Sequence, residues 1–112
     1  MTACKRGNVV LVGFVFSGES GRKLRPAVVI NSPAYGRGRN EVVVAAITSN
    51  VRRRLLGDHL ITDWQSAGLL FSSVATGIIR TVARGIIDRK LCVMGKADMD
   101  AIDHELRRFL VL

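Results

Sequence analysis

The chain has 112 residues, 48% hydrophobic and 23% charged, which suits one folded domain over 1–112 and excludes both a disordered tail and a two-domain protein. Seventeen Lys plus Arg against nine Asp plus Glu give a formal charge of +8, and thirteen of those cations are arginine. The planar guanidinium fork pairs with phosphates, so an anionic partner is the first expectation. No apolar run approaches the roughly 20 residues that span a bilayer, so no membrane partner is expected.

Taken in chain order, Met1 to Asn8 lead from a short basic stretch into a strand pattern with no signal-peptide layout, and a cytoplasmic location is expected. Val9 to Phe16 are β-branched and aromatic, which predicts a strand buried on at least one face. The polar, glycine-bearing run Ser17 to Leu24 predicts a loop, and Pro26 to Ile30 resume the strand pattern. Asn31 to Asn40 read as mostly irregular, and Glu41 to Thr48 as a third, apolar strand. Asn50 to Gly57 form an exposed loop with three consecutive arginines, followed by a weaker strand at His59–Thr62.

Two further strands are expected between Ser73 and Val82 and between Gly85 and Met94, with a short helical or irregular piece. From Asp98 the period changes: Met99, Ile102, Leu106 and Phe109 fall on one helical face, and Asp98 is the expected N-cap. Asp100 and Asp103 sit where the helix dipole favours negative charge. Charge is segregated, with fifteen cations and five anions in residues 1–97 but two cations and four anions in residues 98–112.

Several chemistries lack their residues. His59 and His104 lie 45 positions apart, and Cys4 and Cys92 lie 88 apart. Neither pair has metal-ligand spacing, so no metal, no other cofactor and two free thiols are expected. Gly13 and Gly18 are followed by Glu19 and not by the Lys-Ser or Lys-Thr of a phosphate loop, and no Gly-x-Ser-x-Gly elbow occurs. What remains is arginines, hydroxyls and backbone amides on loops between strands. That set suits RNA, which carries its own nucleophile in the 2′-hydroxyl and needs only orientation of the phosphate and stabilisation of transition-state charge. DNA lacks that hydroxyl and would need a metal-bound water or a covalent intermediate.

Four blocks resemble the MazF/PemK family of toxin endoribonucleases, in order and spacing along nearly the whole chain. They are Arg6-Gly7-Asn8-Val9-Val10-Leu11-Val12, Arg25-Pro26-Ala27-Val28-Val29-Ile30, Val44-Ala45-Ala46-Ile47-Thr48-Ser49, and Ser73-Val74 with Ile79-Arg80-Thr81-Val82. The resemblance implies a mainly β fold with α, a small antiparallel SH3-like barrel or sheet of the CcdB/MazF kind closed by a C-terminal helix. It implies a homodimer that cuts single-stranded RNA without a metal, leaving a 2′,3′-cyclic phosphate and a 5′-hydroxyl, and a cognate MazE-like antitoxin whose acidic tail occupies the RNA groove.

Carried over by position, the family's catalytic arginine falls on Arg25 and its catalytic threonine on Thr48. Its substrate loop falls on Ser17 to Leu24, with Glu19, Ser20, Arg22 and Lys23 as RNA contacts. Its second groove loop falls on Ser49, Asn50, Arg52, Arg53 and Arg54. Gly77 and Ile78 stand where many members carry an acidic residue and a glutamine, and Asn8 stands for the commoner Asp.

Outside the resemblance, Arg25 reads as a surface cation and Thr48 as an ordinary strand residue. Arg52 to Arg54 read equally as a solvated run or a phosphate patch. Arg80 reads as a structural ion-pair or interface residue, His59 and His104 as surface or packing residues, and Trp64 and Tyr35 as poor stacking candidates. Two other functions share these features: a CcdB-like DNA gyrase poison acting through its C-terminal helix, and a non-catalytic basic module that binds nucleic acid by charge.

Overall fold

The computed structural model describes residues 4–14, 23–52 and 54–112. Its elements in chain order are β1 (Asn8–Phe14), β2 (Lys23–Val29), a one-turn helix α1 (Pro33–Gly36), β3 (Glu41–Thr48), β4 (His59–Leu60), β5 (Val74–Ala83), a 3-10 turn (Arg84–Ile86), β6 (Ile87–Val93) and α2 (Lys96–Leu110). Six strands form one antiparallel sheet in the order β4-β5-β3-β2-β1-β6.

That order and the short β5–β6 link together force curvature. β5 and β6 are separated by β3, β2 and β1, so a flat sheet would set them about 19 Å apart at four interstrand steps of about 4.8 Å. Only Arg84–Ile86 join them, as a 3-10 turn, whose rise of about 2 Å per residue covers less than half of that. The sheet must therefore curl until the end of β5 and the start of β6 come within reach of that turn. The curl encloses Val10, Val12, Phe14, Ala27, Val29, Val42, Val44 and Val82, with Ile86 and Ile87 packed against them. This is the barrel-like sheet that the resemblance implies.

The other face of the sheet is roofed by α2. Val9, Val28, Ala45, Ile47 and Ala75 meet Ile61, Ala67, Met94 and Ile102, with Met99 and Leu106 alongside. The spacing of Met99, Ile102 and Leu106 is the helical stripe that the sequence shows, and each such residue, once buried, contributes about 1.5–3 kcal/mol. β1 is buried along almost its whole length because both cores use it, which is why its run is continuously apolar instead of alternating.

Two expectations are corrected. Asp98 is not the N-cap of α2: the helix begins at Lys96 with Gly95 as its cap, and Asp98 sits in the first turn. Its side chain turns away from the helix end and is 2% exposed. Oδ1 accepts from Thr62 N–H at 2.8 Å, Thr62 Oγ1 at 2.9 Å and His59 Nε2 at 2.8 Å, and Oδ2 accepts from Asp63 N–H at 3.0 Å. Burial by itself raises the carboxyl pKa, but these four donors outweigh it and hold Asp98 below the ordinary aspartate range. The segment 31–40 is also not wholly irregular, since Pro33 occupies the first turn of α1 and Ser32 Oγ accepts from Tyr35 N–H at 3.2 Å.

The remaining anions of α2 are also engaged. Asp100 accepts from Lys96 at 2.8 Å, Asp103 takes the Arg6 fork, and Glu105 takes Arg108 at 2.9 Å as well as Gly57 N–H at 3.3 Å. Among the described residues no helix is long and apolar enough to cross a membrane. Val15 and Phe16, expected in the first strand, and residues 17–22 of the expected loop lie outside the described residues, as does Arg53.

Candidate functional site

A groove of about 770 Å³ opens where β2 starts and β3 ends. β2 and β3 pair as Ala27↔Ala46, Val28↔Ala45 and Val29↔Val44. Continued by two residues, past the point where Pro26, which has no N–H to donate, ends the ladder, this register would set Arg25 opposite Thr48. Both side chains line the groove. The pairing of β2 with β3 thus carries two residues far apart in the chain into one groove.

β5 contributes through a bulge. It pairs with β3 as Ala45↔Ile79 and then as Ile47↔Ala75, so Thr76, Gly77 and Ile78 face a single β3 residue, Ala46. Thr76 Oγ1 donates to Ala46 O at 2.7 Å and accepts from Ile78 N–H at 3.2 Å, and Gly77 N–H donates to Asp58 Oδ1 at 2.9 Å. The bulge is pinned on both sides, and Thr76 and Ile78 line the groove. Gly77 backs onto the loop before β4: a Cβ there would lie 3.4 Å from Gly57 Cα. A side chain at 77 would therefore start in van der Waals contact with that loop.

The lining chemistry is specific. Arg25, Arg80 and Arg89 supply positive charge, Thr48, Ser49, Ser73 and Thr76 supply hydroxyls, and the described lining contains no carboxylate, imidazole or thiol. Thr48 Oγ1 accepts from Asn50 N–H at 3.1 Å, which orients the hydroxyl and leaves its own proton to donate into the groove. Among the described residues no three His, Cys, Asp or Glu side chains gather as a metal site. Cys4 and Cys92 are not joined in a disulfide. Partial burial pushes the Cys4 thiol up against the opposing Arg84 charge, which favours the unreactive neutral form.

Of the residues expected to contact the substrate, Ser49 lines the groove beside Arg25 and Thr48. Lys23 is exposed at the start of β2, outside the lining. Asn50, Arg52 and Arg54 lie on the segment after β3, also outside it, where Asn50 Oδ1 accepts from Arg52 N–H at 3.3 Å. Glu19, Ser20, Arg22 and Arg53 fall outside the described residues.

Of the ion-pair or interface role expected for Arg80, no ion pair forms among the described residues; the residue lines the groove with its guanidinium 6.0 Å from the Phe14 ring centre. Arg89, Thr76 and the exposed pair Leu70 and Phe71 complete the lining and were not expected there. The bulge and the curl bring them in, and neither leaves a periodicity in the sequence. His59 is a structural partner of Asp98, as expected of a packing histidine, and Tyr35 lies under Arg39 at 4.4 Å.

Comparison with known proteins places this architecture. Residues 5–110 match the family model of the PemK-like, MazF-like toxins of type II toxin–antitoxin systems. An endoribonuclease from a Mycobacterial species, solved in complex with its cognate antitoxin, is 22% identical with a TM-score of 0.77, covering 98% of this chain and 97% of that one. The Mycobacterium tuberculosis toxin MazF-mt6 is 18% identical with a TM-score of 0.77, over 94% and 97% of the two chains. MazF in a MazE-MazF crystal structure from Deinococcus radiodurans is 16% identical with a TM-score of 0.80, over 100% and 99%. At these identities the likeness is one of fold. No curated protein matches the sequence significantly. The family match spans nearly the whole chain, and the protein belongs to the PemK-like, MazF-like toxins of type II toxin–antitoxin systems.

Proposed function

We propose that the protein is a metal-independent, sequence-selective endoribonuclease acting on single-stranded RNA. The observation that carries this reading is that Arg25, near the start of β2, and Thr48, at the end of the antiparallel neighbour β3, line one groove whose described charged lining residues are all arginine. The endoribonucleases among its structural neighbours support it.

In this mechanism the ribose 2′-oxygen attacks the adjacent phosphorus as the bond from phosphorus to the 5′-oxygen breaks. The products are a 2′,3′-cyclic phosphate and a 5′-hydroxyl. Negative charge grows on the non-bridging oxygens, and Arg25 meets it with a fixed fork of donors. A guanidinium is a poor acid, so Arg25 serves as a charge stabiliser and not as the proton donor. Thr48, its oxygen held by Asn50 N–H, donates its proton to the same phosphate and fixes its orientation. Arg80 and Arg89 hold neighbouring phosphates. The protein works as a homodimer and is neutralised by a MazE-like antitoxin, in line with the toxin–antitoxin complexes among its structural neighbours.

The test is incubation of the purified protein with a long single-stranded RNA in EDTA, with mapping of cut positions and end groups. Discrete cuts bearing cyclic phosphate, lost in Arg25→Ala and reduced in Thr48→Ala, are expected. Absence of cuts from folded wild-type protein would overturn the reading. A supercoiling assay with gyrase and salt-titrated binding would then separate a gyrase poison from a binding module.

A further inference from the structure

The groove has one feature that phosphate chemistry does not use. Leu70 is 83% and Phe71 65% exposed, and both line the same concavity as Arg25 and Thr48. They are not the tip of a loose loop. On one side Leu69 is buried and its N–H donates to Trp64 O at 3.1 Å. On the other, buried Ser73 donates its hydroxyl to Phe71 O at 2.8 Å, while its own carbonyl accepts from Ile61 N–H at 3.0 Å. The backbone is anchored before and after the pair, so the two apolar side chains are held out in water. Across the groove Leu24 and Ile78 are also more than half exposed.

We propose that Phe71, backed by Leu70, is a stacking ledge for one nucleobase flanking the scissile phosphate, and so a substrate-positioning residue. The inference rests on the endoribonuclease reading and extends it to a residue of this chain. A nucleotide offers what this lining asks for: an apolar base face for the ring and, one backbone step away, a phosphate for Arg25, Arg80 or Arg89. A second copy of the chain fits worse at this place, because it brings a net charge of +8 against three lining arginines.

The experiment compares wild type, Phe71→Ala and Phe71→Tyr on a short single-stranded RNA with one mapped cut, replacing each nucleotide beside the cut in turn by an abasic residue. Phe71→Ala is expected to raise KM about 10- to 100-fold, the range of one aromatic–base stack, with kcat within about threefold of wild type. Phe71→Tyr keeps the ring and stays near wild type. One abasic position should penalise wild type by the same factor yet leave Phe71→Ala unaffected, because the stack is already gone.

Fluorescence anisotropy of the uncut RNA reads the ledge even without cleavage. Equal affinity of wild type and Phe71→Ala would overturn the proposal, as would additive abasic penalties. A change of oligomeric state, or a loss of antitoxin binding with RNA binding intact, would assign the ledge to a protein and overturn it too. Failure of wild type to cut RNA in EDTA counts against the proposed activity alone. Normal cutting by Phe71→Ala with unchanged KM counts against the ledge alone.

Discussion

The two ends of this small molecule handle charge and apolar surface in opposite ways. Under α2, the four anions of residues 98–112 each hold a partner, and the stripe of Met99, Ile102 and Leu106 is covered by the sheet. At the groove, three arginines line a surface with no carboxylate among the described lining residues, and Leu24, Leu70, Phe71 and Ile78 stay open to water. One end is built so that its polar groups answer one another, and such a region contributes stability. The other gathers like charge and apolar side chains at the surface, an arrangement that suits an anionic ligand. Substitutions should therefore separate cleanly: groove variants change activity at constant stability, and helix-side variants do the reverse.

The largest expected effect tests the groove half of that contrast. Arg25→Ala should lower single-turnover RNA cleavage about 10³-fold, near 4 kcal/mol of lost transition-state stabilisation. Its thermal midpoint should stay within about 2 °C of wild type, because Arg25 is exposed at the start of β2. A marked drop in the midpoint would show that the residue holds the fold and would break the contrast.

The helix side is probed next by Asp98→Ala, which strands two backbone N–H donors and the Thr62 and His59 side chains. Chemical denaturation should show a loss of about 3 kcal/mol. The pH dependence has a definite sign. Because the folded carboxyl lies below its ordinary value, its contribution is fully present above the unfolded value of about 3.9 and is lost as pH falls through the lower folded value. Asp98→Asn should accordingly lack part of the acid-side loss that wild type shows below about pH 4.

The contrast also explains what could be read before any fold was known. The continuous apolar runs of β1 and β3 and the three-four spacing of α2 are consequences of burial, so they stand in the sequence as patterns. Arg25 and Thr48 became legible only because neighbouring residues resemble a family; alone, an arginine before a proline and a threonine ending a strand carry no mark. Phe71, Arg89 and the Thr76–Ile78 bulge left none either, since each depends on the curl of the sheet or on unequal counts of residues in paired strands. Asp98 misleads for a related reason. Its residue type suits an N-cap, but tertiary donors from Thr62 and Asp63 outcompete the helix's own N–H groups, and Gly95 takes the cap.

A smaller effect sharpens the boundary between the two ends. Gly57 has φ +98 and a Cβ there would sit 2.8 Å from Phe109 Cδ2, so the loop before β4 closes onto α2 only because this position has no side chain. Gly57→Ala should cost about 2 kcal/mol from left-handed strain and the displaced ring. Because Asp58 ties the same loop to the β5 bulge at Gly77, this variant, unlike those at Arg25 and Asp98, should disturb both stability and cleavage.

The smallest effect belongs to Arg6, which the sequence counts among the cations available to an anionic partner. Its Nε donates to Ile30 O at 3.0 Å and its two terminal nitrogens fork onto Asp103, so its charge is directed to α2 and not to the groove. Both side chains are about a quarter to a third exposed, where solvent screens most of the attraction, so Arg6→Met should cost no more than about 1 kcal/mol. The charge part of that difference should shrink in 1 M salt, where the screening length falls to about 3 Å. RNA cleavage by Arg6→Met should match wild type at low salt. A large loss of cleavage would mean that the basic surface extends to the helix side, and the division between a self-satisfied end and a ligand-completed end would have to be redrawn.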